Sequence, residues 1–297
     1  MTKNKFGLGE AVTLLAVSSL ARVFTNSPSD LVAYVGPAAW MSPIVGFAIV
    51  MVQVYLLWIL LKPHKDKNLI EITEDVMGPY VGVVFNLAIV AVLVCVNFLY
   101  VRIFSEAMLI ATLPQTPVSV VGAAFVICAI WGSYLGLEAL ARSVKLVYPL
   151  IFGGILILML SLIPEYKINN LYPIFGNGVD HILLSGGLGS SVVAEGLLAA
   201  ILIKSLASRK LFPKATTRAM IIGFATLFIM ELVLLLSIHW RTVSEFVLPF
   251  YSLSRSIYLG RFFQRVESIF VIIWTFIALV KIALLLYALS LIHILNC

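Results

Sequence analysis

The chain reads as an all-α integral membrane protein, and three observations carry that reading. Apolar residues fill 62% of the 297 positions and charged residues only 11%. The apolar residues are bunched into runs of membrane-spanning length with short polar breaks between them, and a hydrocarbon core needs about 20 such residues per helix. A water-soluble globule of this size has too much surface in contact with solvent to hide that much hydrocarbon.

Eight spans are expected within a single transmembrane domain covering residues 1–297. The first, Gly7–Phe24, follows a short start, carries Glu10 and Arg22, and lacks the small-residue cleavage pattern of a signal peptide. A break at Pro28–Asp30 precedes the second, Tyr34–Leu61. The third, Tyr80–Leu113, exceeds a bilayer width and must tilt, kink or project into water before Pro114. Pro114–Pro117 separates it from the fourth, Val118–Leu137, and Leu146–Ile163 is the fifth. The sixth, Leu188–Leu206, follows a Pro164–Gly187 loop; Met220–Ile238 and Ile269–Leu295 complete the set.

Positive charge orients the spans. With Lys3 and Lys5 in the cytoplasm, alternation places Lys62, Lys65 and Lys67 there, and likewise Arg142, Lys145, Arg209, Lys210, Lys214 and Arg218. The exception is Arg241–Arg265, which falls outside; residues 239–268 are therefore read as an extracytoplasmic amphipathic segment lying on the membrane surface. The net charge of +6 is mostly this orientation signal and gives no support for nucleic-acid binding. Cys95, Cys128 and Cys297 form no disulfide framework. The last span stops without a basic tail, so the chain is expected to be incomplete or altered at that end. His64, His181, His239 and His293 are scattered, no HExxH or paired-Cys spacing occurs, and Gly186–Gly189 lacks the following Lys-Ser/Thr of a phosphate loop. Neither an enzyme nor a cofactor is expected.

Function must then rest on the few polar groups inside the spans, because an ionisable residue in hydrocarbon costs several kcal/mol unless paired or hydrated. In the first span, Ser18, Ser19 and Arg22 precede Thr25, Asn26, Ser27 and Pro28. Either the helix unwinds part-way across, or Arg22 snorkels to the headgroups and Pro28 ends the helix. In the third, Asn86, Asn97 and Tyr100 share a stripe that lines a cavity or a helix contact; Arg102 and Glu106, four apart, pair with each other. The sixth opens with Ser185, Gly186, Gly187, Gly189, Ser190 and Ser191, followed by Glu195 and Gly196. Such a density of glycine and serine weakens a regular helix. Irregular backbone at depth is tolerated where it lines a cavity, with its amides open to an anionic group; the plain alternative is an outer loop. In the eighth, Glu267, Trp274 and Lys281 are spaced by seven, and deep Lys281 needs a partner, either Glu195 or Glu231.

One stretch is more specific than any of these. Pro249-Phe250-Tyr251 is followed by Arg255-Ser256-Ile257, Gly260-Arg261-Phe262 and Arg265-Val266-Glu267-Ser268-Ile269-Phe270, leading into Trp274. It resembles the region joining helices 7 and 8 in the B subunits of spore germinant receptors. Ser19-Leu20-Ala21-Arg22-Val23-Phe24, Ala38-Ala39-Trp40 and Ser191 through Glu195 are also similar to that family, and the resemblance covers essentially the whole chain. It implies membership of the amino acid–polyamine–organocation transporter superfamily, with a LeuT-like five-helix inverted-repeat bundle. Of the ten membrane helices of that fold this chain would supply eight and lack the C-terminal two. In such folds helices 1 and 6 are broken at mid-membrane, and helices 3 and 8 complete the site.

The resemblance also implies a multi-pass protein of the bacterial cell membrane or spore inner membrane, with the N-terminus cytoplasmic. Its partners would be a receptor A subunit and a lipoprotein C subunit, and its ligand a small nutrient, often an amino acid. Carried onto this sequence, the ligand-binding candidates are Ser18, Ser19, Arg22, Asn97, Tyr100, Ser191, Glu195, Gly196 and Thr275; Glu195, Glu231 and Lys281 are the candidates for gating or coupling. Ser19–Arg22 stands where the superfamily pattern is richer in glycine, so a carboxylate would meet either backbone amides or Arg22. The leading expectation is a germinant-sensing subunit. The rivals are a proton- or sodium-coupled amino acid transporter of the same fold and a ligand-free membrane scaffold.

Overall fold

A computed structural model describes residues 5–25, 27–64, 67–191, 194–257 and 266–295. Among these residues the chain is helical: α1 (Leu8–Leu20), α2 (Ser27–Val35), α3 (Ser42–Leu61), α4 (Leu69–Ala111), α5 (Val118–Tyr134), α6 (Leu137–Ser161), α7 (Val179–Ser191), α8 (Ala194–Ile201), α9 (Leu211–Ser237), α10 (Trp240–Val243), α11 (Pro249–Ser256) and α12 (Val266–Leu295). Five stretches are long and apolar enough to cross a membrane: Ser27–Leu61, Tyr80–Ala111, Leu137–Ser161, Leu211–Ser237 and Glu267–Ile292, with Val118–Tyr134 shorter. The outer faces carry large apolar side chains in the open, such as Val52, Tyr55 and Leu56 on α3 and Val84, Leu87 and Phe98 on α4. That is the inverse of a soluble surface and suits lipid contact.

The first expected span is interrupted. Its α-helix ends at Leu20 and tightens into a 3₁₀ turn over Ala21–Phe24, after which Thr25 is extended (φ −115°, ψ −170°). The Thr25 hydroxyl donates to the Arg22 carbonyl at 2.8 Å and accepts from the Ser27 amide at 3.2 Å, so a side chain takes over from the lost ladder. The second span starts earlier than expected, at Ser27, and bends at Gly36, whose φ of +76° only glycine adopts cheaply.

The helix that carries the over-long third span starts earlier than expected, and its kink falls before Tyr80, outside the span. α4 opens with a capping box in which Asn68 Oδ1 accepts from the Glu71 amide (3.0 Å) and Glu71 Oε2 accepts from the Asn68 amide (2.7 Å). Gly78 (φ 79°, ψ 167°) then breaks the helix. Asn86 braces the break: its amide donates to the Ile70 carbonyl (3.2 Å) and to Glu74 Oε1 (3.0 Å), and its Oδ1 accepts from Thr73 (2.6 Å). Asn86 therefore serves the kink and does not extend a polar stripe to Asn97. We expect Asn86→Val to cost about 1–3 kcal/mol by leaving these buried partners unsatisfied. Thermal unfolding in detergent measures it, and a shift no larger than that of an exposed control such as Ser143→Ala would refute the bracing role.

Two later spans also start earlier than their hydropathy implies. α6 begins at Leu137, directly after Gly136 turns the chain at φ 92°, so Arg142 and Lys145 lie on its first turns and not in a loop. Arg142 pairs with Glu138 one turn back. α7 begins at Val179, and the glycine-rich run from Ser185 to Ser191 is regular helix, not an irregular opening. Gly186 serves close packing on α3: a Cβ there would lie 2.5 Å from Val45 Cβ and 2.9 Å from the Ser42 carbonyl, and one on the facing Gly46 of α3 would lie 3.3 Å from the Gly186 carbonyl. Membrane helices lack a hydrophobic drive to associate, so small residues that let backbones approach take that role. The chain passes from α7 to α8 through residues 192–193, outside the described set.

Of the basic residues that alternation assigned to one side, Lys67, Lys145 and Arg209 meet at one end of the bundle, where Lys204 of the sixth span joins them. Phe6 pairs with Leu206 through its amide to the Ser205 carbonyl (3.2 Å) and the Ala207 amide to its own carbonyl (2.9 Å). Lys204 contacts Glu71 (2.5 Å), Lys145 contacts Glu10 (2.9 Å), and Arg209 reaches the Lys67 and Leu61 carbonyls at 2.8 and 2.5 Å. At the other end Ser29 donates to the Phe246 carbonyl (2.6 Å), Asn177 to the Tyr34 carbonyl (2.8 Å) and the Tyr251 hydroxyl to the Ala111 carbonyl (2.9 Å). Within the segment 239–268, α11 buries Pro249, Phe250, Leu253 and Ser254 and exposes Arg255 and Ser256. Gly260, Arg261 and Arg265 lie outside the described residues. The interior between the two ends is centred on α1, which packs against α9, α6 and α12 and buries Ala16, Val17 and Leu20 completely.

Candidate functional site

Four elements converge on one buried ion pair. Glu195, in the first turn of α8, is 2% exposed, and Lys281, midway along α12, is 1% exposed. Their charged groups are in direct contact. Of the two partners considered for Lys281, the structure selects Glu195. Ser18 of α1 donates to Glu195 Oε1 at 3.2 Å, and Lys281 Nζ sits 5.1 Å from the centre of the Tyr100 ring on α4. The ring face supplies further stabilisation to a desolvated ammonium. Tyr100 stacks on Phe104 (5.7 Å), which in turn meets Trp274 of α12 (5.9 Å). The cluster thus joins the first, third, sixth and eighth expected spans at depth, in an apolar surround where an unpaired charge would be very costly.

A second polar group lies around Arg22. The guanidinium turns inward and does not snorkel: Nη1 donates to the Gly189 carbonyl of α7 at 2.9 Å and Nε to Ser27 Oγ at 3.0 Å. Glycine at 189 makes this possible, since a Cβ there would lie 2.8 Å from Nη1. The same cleft is lined by Ser42, Ser185 and Glu231. Ser42 and Ser185 are buried and hydrogen-bonded to each other at 2.7 Å. Glu231 of α9 is 5% exposed, and its Oε2 has no hydrogen-bond partner among the described residues.

The remaining candidates are placed elsewhere or do other work. Ser19 donates to the Ala16 carbonyl (2.7 Å) and packs on α9, where a Cβ on Gly223 would lie 2.2 Å from its Oγ. Thr275 is half-buried and bonds to the Val271 carbonyl of its own helix (2.8 Å). A Cβ on Gly196 would meet Leu57 and Val54 of α3, so this glycine faces packing and not the ion pair. Asn97 is buried with Oδ1 lacking a partner among the described residues. The Ser191 side chain lies outside the described residues. Arg102 and Glu106 pair as their spacing predicts (2.6 Å), in the open on α4. Sequence reading missed Ser42 and noted Ser185 only within the glycine- and serine-rich run; a lone serine beside Pro43 carries no signal until α3 and α7 are brought together.

Comparisons with known proteins converge with this architecture. The sequence model of a family described as spore germination protein matches residues 8–294. Among individual relatives, a Bacillus subtilis (strain 168) protein named for spore germination, YfkT, is 28% identical over 285 residues, covering 94% of this chain and 77% of that protein. Spore germination protein KB of the same organism is 22% identical over 294 residues, covering 97% of this chain and 78% of the relative. Spore germination protein A2, again from that organism, is 24% identical over 279 residues, with 92% and 75% covered.

Proposed function

This chain belongs to the spore germination protein family, and from that premise we propose that it is a nutrient-sensing membrane subunit of a spore germination receptor. A small nutrient, with amino acids foremost, binds among the first, third, sixth and eighth spans and shifts a conformational equilibrium. Partner subunits read that shift; the resemblance names them as an A subunit and a lipoprotein C subunit. The setting is a bacterial cell membrane or spore inner membrane, with the end that carries Phe6, Lys145, Lys204 and Arg209 facing the cytoplasm. The fold proposed for this activity remains the five-helix inverted repeat, with the segment 239–268 on the outer surface.

The observation that carries this reading is the Glu195–Lys281 pair at the junction of α1, α4, α8 and α12. A charged contact that ties helices flanking two discontinuities can change partners when those helices move. A ligand must prefer one arrangement to act as a signal, and about 5.5 kcal/mol of preference swings a 1:99 population to 99:1. A coupled transporter could use the same two groups, so transport must be tested directly. We expect a nutrient to raise the thermal stability of the chain in proteoliposomes, by about 2.7 kcal/mol at 100 times its Kd, with no sustained uptake of radiolabelled nutrient. Sustained, gradient-driven uptake would overturn sensing in favour of coupled transport.

A further inference from the structure

The basic end of the bundle holds one set of charges that its ion pairs leave out. Lys67 contacts Asp75, Arg142 contacts Glu138, Lys145 contacts Glu10 and Lys204 contacts Glu71. Lys210, at the N-cap of α9, and Lys214 and Arg218 on its opening turns are exposed, and none of the three has an ion pair among the described residues. They recur every four residues and so share one face, where like charges repel. Orientation in a membrane asks only that cations lie on one side; it does not ask that three of them share a face without an acidic neighbour. Further along α9 the same face changes character. Ile221, Ala225 and Ile229 fall in the same strip, about 100° wide, and are exposed, while Phe212, Ala219, Gly223 and Met230 on the opposite side are buried. At 1.5 Å per residue the cations span about 12 Å and the apolar run continues for about 16 Å, close to one leaflet of a ~30 Å hydrocarbon core. Trp58 of α3 stacks on Phe212 (6.1 Å) at the level of Lys210 and Lys214. Tryptophan favours the headgroup region, which sets these cations at the depth of lipid phosphates.

We propose that this face of α9 binds an anionic phospholipid of the surrounding bilayer, with its phosphate held by Lys210, Lys214 and Arg218 and an acyl chain lying along Ile221, Ala225 and Ile229. Charge complementarity selects the headgroup: a phosphate relieves the repulsion among the three cations, and the planar fork of Arg218 matches its oxygens. The apolar continuation selects a lipid over a free anion, which would leave that half of the strip bare. α9 packs on α1, which carries Ser18 and Arg22, so the lipid steadies the outer side of a helix that walls the buried polar groups. The proposal needs only membrane residence and not the sensing role, so either can fail alone.

The test is native mass spectrometry of the full chain in detergent, titrated with phosphatidylglycerol and separately with phosphatidylcholine of the same acyl chains. The wild-type protein should take up its first phosphatidylglycerol about 10–100-fold more tightly than phosphatidylcholine. Lys210→Gln/Lys214→Gln/Arg218→Gln should bring the two affinities to within about threefold, and Lys214→Gln alone should cut the preference by about fivefold. A charge-matched control, Lys167→Gln/Arg241→Gln/Arg255→Gln, removes three exposed cations at the opposite end and should keep the full preference. Glycerophosphoglycerol, the headgroup without acyl chains, should compete poorly. The wild-type comparison needs no variant, so a triple variant that fails to fold does not shelter the proposal. Equal wild-type affinity for the two lipids would overturn it and leave the cations to an acidic segment of a protein partner. An unchanged preference in the folded site variant, or an equal loss in the control, would overturn the site. Full competition by glycerophosphoglycerol would overturn the lipid as its occupant.

Discussion

Replacing Lys281 by methionine should lower the unfolding free energy by about 3–5 kcal/mol, among the largest single effects available in this chain. The ammonium is 1% exposed and in contact with Glu195, which is 2% exposed. Removing it strands a carboxylate whose remaining hydrogen-bond partner among the described residues is the Ser18 hydroxyl at 3.2 Å. Glu195→Gln should cost a similar amount by stranding the ammonium over the Tyr100 ring. The double variant Glu195→Gln/Lys281→Met should recover most of the loss, because no uncompensated charge is left. Equilibrium unfolding of the four proteins in one detergent gives the cycle, and additive losses would show that the two groups do not depend on each other. The cycle also bears on function: a ligand response lost in Glu195→Gln alone is uninformative, whereas the double variant separates damage to the bundle from damage to a site.

The second large effect is steric. Gly186→Ala should destabilise the bundle by about 1–3 kcal/mol, because the added methyl would lie 2.5 Å from Val45 Cβ and 2.9 Å from the Ser42 carbonyl. The neighbouring Gly187→Ala is the control: among the described residues its methyl would find Ile49 Cδ1, at an ordinary contact distance of 3.9 Å. Alanine is also the better helix former, worth up to about 1 kcal/mol, so Gly187→Ala should be neutral or stabilising. Thermal melts of the two variants decide the point. Equal melting temperatures would mean that α3 and α7 are less closely seated than the structure shows.

Membrane residence, the helical class and the grouping of loops at two ends were all legible in the sequence, because each rests on a sum over many residues. Hydropathy integrates over a whole span, and the basic residues Lys67, Lys145 and Arg209 mark their end by simple alternation. The spacing that pairs Arg102 with Glu106 is local to one helix, and it too could be read directly. The motif through Arg255, Ser256, Ile257 and Glu267 carried the family before any coordinate was known, since a composite of many positions is far more specific than a glycine run.

Only the tertiary structure decided what each polar group does. Glu195 and Glu231 are equally plausible partners for Lys281 on the sequence; the choice depends on which helix faces α12 and at what height. Asn86 and Asn97 lie in register on an ideal helix, yet the positive φ of Gly78 folds the chain back and turns Asn86 into a brace. The glycines before Ser191 look like a disrupted helix, but their use is set by how near α3 and Arg22 come, a distance that no local pattern encodes. Sequence determined which segments are apolar enough to enter a membrane, because transfer free energy is additive along the chain. Three-dimensional packing determined which charges meet, because a contact across 86 positions is a property of two helices and not of either one.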